Sequence, residues 1–197
     1  MKKNLSLLVL SILSISSVAG MSMPYQPRNG TEFSDVYEDY SYNEAIKTLK
    51  ADGAITGYPD GSYKPQARIN RAELVTLMMR GTGIELEGED CFSDVGSQWF
   101  APSVCTAKQL GYLQGYEDGT FRPEKYVNFA EASKIISVAF EGAQDENGAA
   151  WYKAYIDTLA DKKAIPLTIT QAENDITRGD MAEMIWRIKH DVTNKSF

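Results

Sequence analysis

Histidine is almost missing from this chain of 197 residues, and the sole example, His190, lies near the C-terminus. One histidine near a tail gives no convincing Ser-His-Asp or Cys-His relay. The strings HExxH and GxSxG, which would mark a zinc site or a nucleophile elbow, are also absent. A carboxylate pair for glycoside cleavage is compatible with so acidic a chain, but no pair stands apart from the repeated framework described below. Catalysis is not expected. Cysteine is limited to Cys91 and Cys105, without CxxC spacing or a neighbouring histidine, which argues against a metal or redox centre. After Asp60 the alternate positions are Ser62 and Lys64, and the twelfth place is Arg71, so no EF-hand loop is present. Neither metal nor cofactor is expected.

Basic residues are also in short supply, 20 against 27 acidic ones, a net charge of −7. Such a surface repels nucleic acid and anionic lipid. The longest apolar stretch, Leu5 to Val18, follows Lys2 and Lys3 and leads to small residues at Ser17, Ala19 and Gly20. That is the form of a secretory leader. It falls short of the 18 or so residues a spanning helix needs, so cleavage near residue 20 is expected rather than an uncleaved anchor. No cysteine lies nearby for lipid attachment. Removing residues 1–20 leaves about 175 residues, able to bury roughly 70% of their surface. It also takes two of the 20 basic residues, leaving 18 against 27 acidic and a net of −9. In an exported chain the two cysteines form either a disulfide, closing a loop of about 15 residues, or a pair of reduced buried thiols, and export favours the bond.

What the chain has in abundance is repetition. Phe33-Ser34-Asp35-Val36 returns as Phe92-Ser93-Asp94-Val95, and Gly57-Tyr58-Pro59-Asp60-Gly61-Ser62-Tyr63-Lys64-Pro65 as Gly115-Tyr116-Glu117-Asp118-Gly119-Thr120-Phe121-Arg122-Pro123. Ile69-Asn70-Arg71-Ala72-Glu73 returns as Val127-Asn128-Phe129-Ala130-Glu131. The last two offsets are both 58 and the first is 59, so one residue is inserted before the first helix of the first copy. A fainter third copy follows. Trp151 to Ile165 tracks Trp99 to Leu113, and Asp175-Ile176-Thr177-Arg178-Gly179-Asp180-Met181 restores the start of a second helix. The glycine-aspartate loop is replaced there by Ile165-Pro166-Leu167-Thr168-Ile169.

Each copy reads as helix, glycine-rich turn, helix. Tyr42, Ala45, Ile46 and Leu49 make one apolar stripe, and Gly53 is suited to a C′ position with positive φ. Asp60-Gly61 signals a tight turn, and Pro65 stops any strand. Asn70 with Glu73, Asn128 with Glu131 and Thr177 with Asp180 have capping-box spacing. Six helices in three hairpin-like units are predicted, each too small to bury its own faces.

The combination of FSDV, a helix, GYPDGSYKP and INRAEL resembles the S-layer homology module, and the resemblance runs from about Phe33 to Lys189. It implies a mainly α fold: three tandem helix–loop–helix repeats packed as a pseudo-three-fold spindle around a central helical bundle. The expected division is a leader over 1–20, a linker over 21–32, repeats over 33–88, 89–144 and 145–190 (the last degenerate), and a tail over 191–197. The family tethers exported proteins to secondary cell-wall polysaccharide, often pyruvylated, or to peptidoglycan-linked polymers, with ligand in grooves between repeats. A cell-wall or S-layer location is therefore expected, with other surface-layer proteins as further partners.

Carried over by position, the family's carboxylate-reading arginine is Arg71 in the first copy and Arg178 in the third, while the second has Phe129. A guanidinium is a bidentate carboxylate partner, and at the start of a helix, outward-pointing N–H groups would add to it. Trp99 and Trp151 are candidate sugar platforms, equally readable as core residues. Gly57 and Gly115, with the loop residues Tyr58 and Tyr116, would complete the grooves and let a ligand approach the backbone closely. Plainer readings stand beside these: solvated or paired arginines, Asp60 and Asp118 as turn formers, Lys64 and Arg122 as solvent-facing charges. The competing role is a protein–protein or structural surface-layer component that has lost glycan binding.

Overall fold

The computed structural model describes residues 33–144 and 150–193. The leader and the linker expected over 1–32 lie outside them, as does the end of the tail. Six helices follow in order: α1 Asn43–Ala51, α2 Arg71–Thr82, α3 Ala101–Gln109, α4 Phe129–Glu141, α5 Lys153–Asp161 and α6 Arg178–Lys189. Among the described residues there is no strand, only isolated bridges. No helix among them is long and apolar enough to cross a membrane.

The even-numbered helices begin in the same way. Asn70, Asn128 and Thr177 each accept the N3 amide, from Glu73 at 2.9 Å, Glu131 at 2.9 Å and Asp180 at 3.1 Å. All three capping boxes are complete, with N-cap ψ of 170°, 170° and 167°. The odd-numbered helices have no side-chain cap hydrogen bond at their N-termini. Beyond their C-caps the chain turns left-handed, at Gly53 (φ 73°), Gly111 (φ 75°) and, after α5, Lys163 (φ 51°). A lysine there costs about 1–2 kcal/mol against glycine. Its carbonyl is taken up by Arg187 Nη1 at 3.1 Å.

The units are joined by a closed circuit of main-chain bonds. Ile69 N–H donates to Ile176 O (3.2 Å), Ile176 to Val127 O (3.3 Å), and Val127 back to Ile69 O (3.2 Å). All three side chains are fully buried. Bridges between Arg68 and Thr177, Asn70 and Tyr126, and Asn128 and Asp175 extend the circuit. Around it, the first turn of each even helix donates into the next unit's loop. Arg71 N–H reaches Lys125 O and Ala72 reaches Pro123 O; Phe129 reaches Asn174 O and Ala130 reaches Ala172 O; Arg178 reaches Ala67 O and Gly179 reaches Pro65 O. Amides that a helix leaves orphaned are thus satisfied across units.

This corrects the expectation of hairpin-like units. The main partner of each odd helix is the even helix of the preceding unit: α3 packs on α2, α5 on α4 and α1 on α6. The even helices α2, α4 and α6 contact one another at the centre. Burial follows that order. On α6 every residue from Arg178 to Ile188 is buried, whereas α5 buries only Tyr155 and Leu159.

The FSDV and glycine motifs are explained by one loop device. Asp35 accepts from the consecutive amides of Tyr63 and Lys64, both at 2.7 Å, and Asp94 does the same for Phe121 (2.7 Å) and Arg122 (2.8 Å). Those bonds hold Lys64 and Arg122 at φ of 58° and 57°, a conformation that ordinary side chains avoid. Cys91 and Cys105 form a disulfide with Cα atoms 5.4 Å apart, as expected. It ties α3 to the segment leading into Phe92. Reduction should lower unfolding free energy by about 3 kcal/mol, the value for a loop of about 15 residues. Denaturant midpoints with and without reductant measure this, with no shift expected on adding reductant to a Cys91→Ala/Cys105→Ala variant.

Candidate inter-unit binding hollows

The cyclic packing places each even helix's first residue at the seam with the next unit, and two seams contain open hollows. The first brings Arg178 of α6 together with Gly57, Tyr58, Glu73, Thr76 and Trp99. The second gathers Arg71 of α2 with Gly115, Glu131, Lys134, Ile135 and Trp151. The two are copies: residues 57, 73, 76 and 77 of the first correspond, 58 positions on, to 115, 131, 134 and 135 of the second.

Both arginines are 7% exposed and held alike. Arg178 Nε donates to Tyr63 O at 2.8 Å, and Arg71 Nε to Phe121 O at 2.9 Å. Each guanidinium lies over two rings, Tyr58 and Tyr63 for Arg178 (4.9 and 4.7 Å), Tyr116 and Phe121 for Arg71 (5.2 and 4.8 Å). Such stacking contributes about 0.5–2 kcal/mol per ring contact and fixes the plane of the fork. Burial holds the Arg71 guanidinium below its ordinary pKa, opposed by Tyr116 and then Glu131; it stays cationic at neutral pH.

The polar surroundings differ. Arg178 Nη1 already contacts Glu73 Oε1 at 3.1 Å, and the same oxygen accepts from Tyr58 Oη at 3.0 Å. Arg71 has no carboxylate within ion-pair distance among the described residues. Its counterpart acid, Glu131, is taken instead by Lys125, Nζ to Oε1 2.5 Å. In the first copy the position of Lys125 is held by Ala67.

The expected site residues therefore gather in two places, Gly57, Tyr58, Trp99 and Arg178 in one and Gly115, Trp151 and Arg71 in the other, with Tyr116 under Arg71. The tryptophans are not core residues. Trp99 is 64% exposed and Trp151 44%, each braced edge-on by the next ring, Phe100 or Tyr152. One expectation needs correction. Outward-pointing amides at the arginines do not exist for a ligand, because Arg71 and Arg178 N–H groups donate to Lys125 O and Ala67 O. The glycines that line the hollows are also needed by the loop itself: a Cβ on Gly57 would lie 2.4 Å from Phe33 Cε1 and 2.5 Å from Ser62 O, and one on Gly115 would lie 2.4 Å from Phe92 Cε1. Asp60 and Asp118 are turn formers, accepting the amides of Ser62 (2.9 Å) and Thr120 (3.0 Å). Lys64 and Arg122 are not merely solvated, since each lies over a loop tyrosine, at 4.1 Å from Tyr58 and 3.9 Å from Tyr116. Sequence reasoning missed Glu73 and Glu131 as parts of the hollows and Lys125 as the partner of Glu131. The glutamates were visible only as capping residues, which they also are.

The S-layer homology domain matches residues 32–75 and 92–133, the stretches that hold the first two copies of the repeat. The chain is 32% identical over 153 residues to the middle cell wall protein of Brevibacillus brevis, an overlap of 75% of this chain and 14% of that one. It is 30% identical over 115 residues to the cellulosome-anchoring protein of Acetivibrio thermocellus, 55% of this chain and 26% of the relative. Against cell surface glycoprotein 1 of the same organism the identity is 28% over 139 residues, 64% of this chain and 6% of the relative. The chain thus spans a small fraction of the length of each. The similarities place it at the cell wall or cell surface.

At the third seam Phe129 stands in place of an arginine, and polar side chains there bond to one another. Asp180 and Glu183 occupy the positions of Glu73 and Thr76, and Arg187 that of Arg80. Tyr42 Oη meets Thr168 Oγ1 at 3.1 Å, and Thr168 donates to Asp180 at 2.8 Å. Arg187 Nε binds Glu183 Oε1 at 2.8 Å, with both side chains at most 1% exposed. Removing one member of such a pair leaves a buried charge. Arg187→Met should therefore cost roughly 3–5 kcal/mol, and the double variant Arg187→Met/Glu183→Leu should recover most of it. Equilibrium denaturation of the three proteins measures both.

Proposed function

We propose that this protein attaches non-covalently to the cell wall by holding an acidic, pyruvylated polysaccharide in the hollows between its units. The observation that carries the reading is Arg71. Its guanidinium is buried, fixed by one carbonyl and two rings, and has no carboxylate partner among the described residues, while it lines an open hollow beside an exposed tryptophan. A ketal carboxylate would complete the unfilled Nη positions with charge-assisted bonds. The sugar's C–H face would lie on Trp151, a large ring with an apolar face. Names among the relatives, an anchoring protein and a cell wall protein, agree with attachment. On this reading the helix pair 153–189 is a degenerate third repeat that closes the ring of units, with Phe129 rather than an arginine at the third seam. Attachment rather than catalysis is the role.

Two hollows on one chain would raise the strength of attachment to a repeating polymer through effective concentration. Sedimentation with purified sacculi tests the reading. The wild type should co-sediment and lose binding on sacculi stripped of ketals by mild acid. Arg71→Met/Arg178→Met, which keeps the stacked aliphatic stems, should bind at least tenfold more weakly, the loss of one or more charge-assisted bonds. Equal binding by the variant, or by stripped sacculi, overturns it in favour of a protein partner.

A further inference from the structure

The two hollows share a backbone but not a charge pattern, and the difference traces to three positions. Ala67, Thr76 and Arg80 of the first copy are Lys125, Lys134 and Val138 in the second; Thr76 and Arg80 line the Arg178 hollow and Lys134 the Arg71 hollow, while Lys125 pairs with Glu131 of that lining. Without a lysine at 67, Glu73 is free to turn to Arg178 and takes it at 3.1 Å, with Tyr58 donating to the same oxygen. That guanidinium is neutralised in place. Burial also raises the Tyr58 hydroxyl above the ordinary phenol value, so it remains a donor. Arg80, the other cation there, reaches Thr56 Oγ1 at 3.4 Å. Thr76, 4% exposed, lines the same hollow with a buried hydroxyl that has no hydrogen-bond partner among the described residues. A carboxylate entering this hollow would meet Glu73, whereas a sugar hydroxyl could use Glu73 as acceptor and Arg178 as donor.

In the other hollow Lys125 occupies Glu131, and the main chain confirms that the positions correspond: Arg71 N–H donates to Lys125 O as Arg178 N–H donates to Ala67 O. Lys134 adds a second cation, its Nζ 5.8 Å from the Trp151 ring centroid. Arg71 and Lys134 line that hollow with one carboxylate, Glu131, which Lys125 already pairs, whereas Arg178 and Arg80 line the first with one carboxylate, Glu73, which Arg178 itself pairs.

Resting on the glycan reading above, we infer that the hollows take different classes of saccharide, an anionic one at Arg71 and a neutral one at Arg178. Lys125 is the positioning residue that sets the difference, by withdrawing Glu131 from Arg71. The probes are a methyl glycoside bearing a 4,6-linked pyruvate ketal and its ketal-free parent, titrated calorimetrically. The wild type should show one strong site per chain for the ketal glycoside. Lys125→Ala should weaken that site about tenfold, the equivalent of one charge-assisted bond, without changing affinity for the parent. Ala67→Lys should create a second strong ketal site. Arg71→Met should remove the strong site and Arg178→Met should keep it. Lys125 is exposed and Ala67 only partly buried, so both variants should keep the helical circular dichroism of the parent. An unchanged ketal preference in Lys125→Ala, or loss of the strong site in Arg178→Met instead of Arg71→Met, overturns the inference and leaves glycan binding standing. If neither glycoside binds the wild type, the glycan reading falls and this inference with it.

Discussion

The circuit of three hydrogen bonds linking Ile69, Ile176 and Val127 is the constraint on which the rest of the structure depends. It fixes where each unit's loop ends and where its long helix begins, at one buried point. From that point the first-turn amides of α2, α4 and α6 can only reach the carbonyls of the next loop, and they do. A linear stack of repeats has two free ends and can fray from either. Here the third unit donates back into the first through Arg178 and Gly179, and α1 packs on α6. No unit can leave without breaking two junctions. The ends of α1 and α6 are joined once more outside the circuit, where Lys189 and His190 both contact Asp52 at 2.9 Å.

The same constraint makes the hollows. An arginine at the first helical position is carried to the seam by its backbone, and its Nε is spent on a loop carbonyl, so the only freedom left is at the outer nitrogens. The loop must present that carbonyl at a set place. Asp35 and Asp94 do this by gripping two successive amides each, and the rings of Phe33 and Phe92 fill the space a side chain at Gly57 or Gly115 would need. A motif that reads as ligand-binding in the sequence is in large part the machinery that positions one guanidinium.

How much of this was legible in the sequence differs by level. The helices and their caps were, because Asn70 with Glu73 and its two counterparts are local signals read within four residues. The disulfide was, because an exported chain with two cysteines has few alternatives. The pairing of helices was not: stripes such as Ala45, Ile46 and Leu49 reveal that a face is buried but carry no address for the face that buries it. Arg71, Arg178 and both tryptophans were found by their place in a repeat. Glu73 and Glu131 were hidden behind their capping role, and the difference between them depends on Ala67 and Lys125, six residues upstream and far from any motif.

The third seam separates what the fold requires from what the hollows do. Phe129 replaces arginine, the glycine loop is gone, and Lys163 stands where a glycine would suit the backbone better, yet Phe129 and Ala130 still donate to Asn174 and Ala172 as their counterparts do elsewhere. The circuit therefore needs apolar residues at Ile69, Val127 and Ile176 and a cap beside each, but not an arginine. At this seam Tyr42, Thr168 and Asp180 bond to one another, and Arg187 with Glu183 is sealed from water. Beside Arg71, by contrast, the guanidinium has no carboxylate partner among the described residues, and an exposed tryptophan stands at the edge of the open hollow.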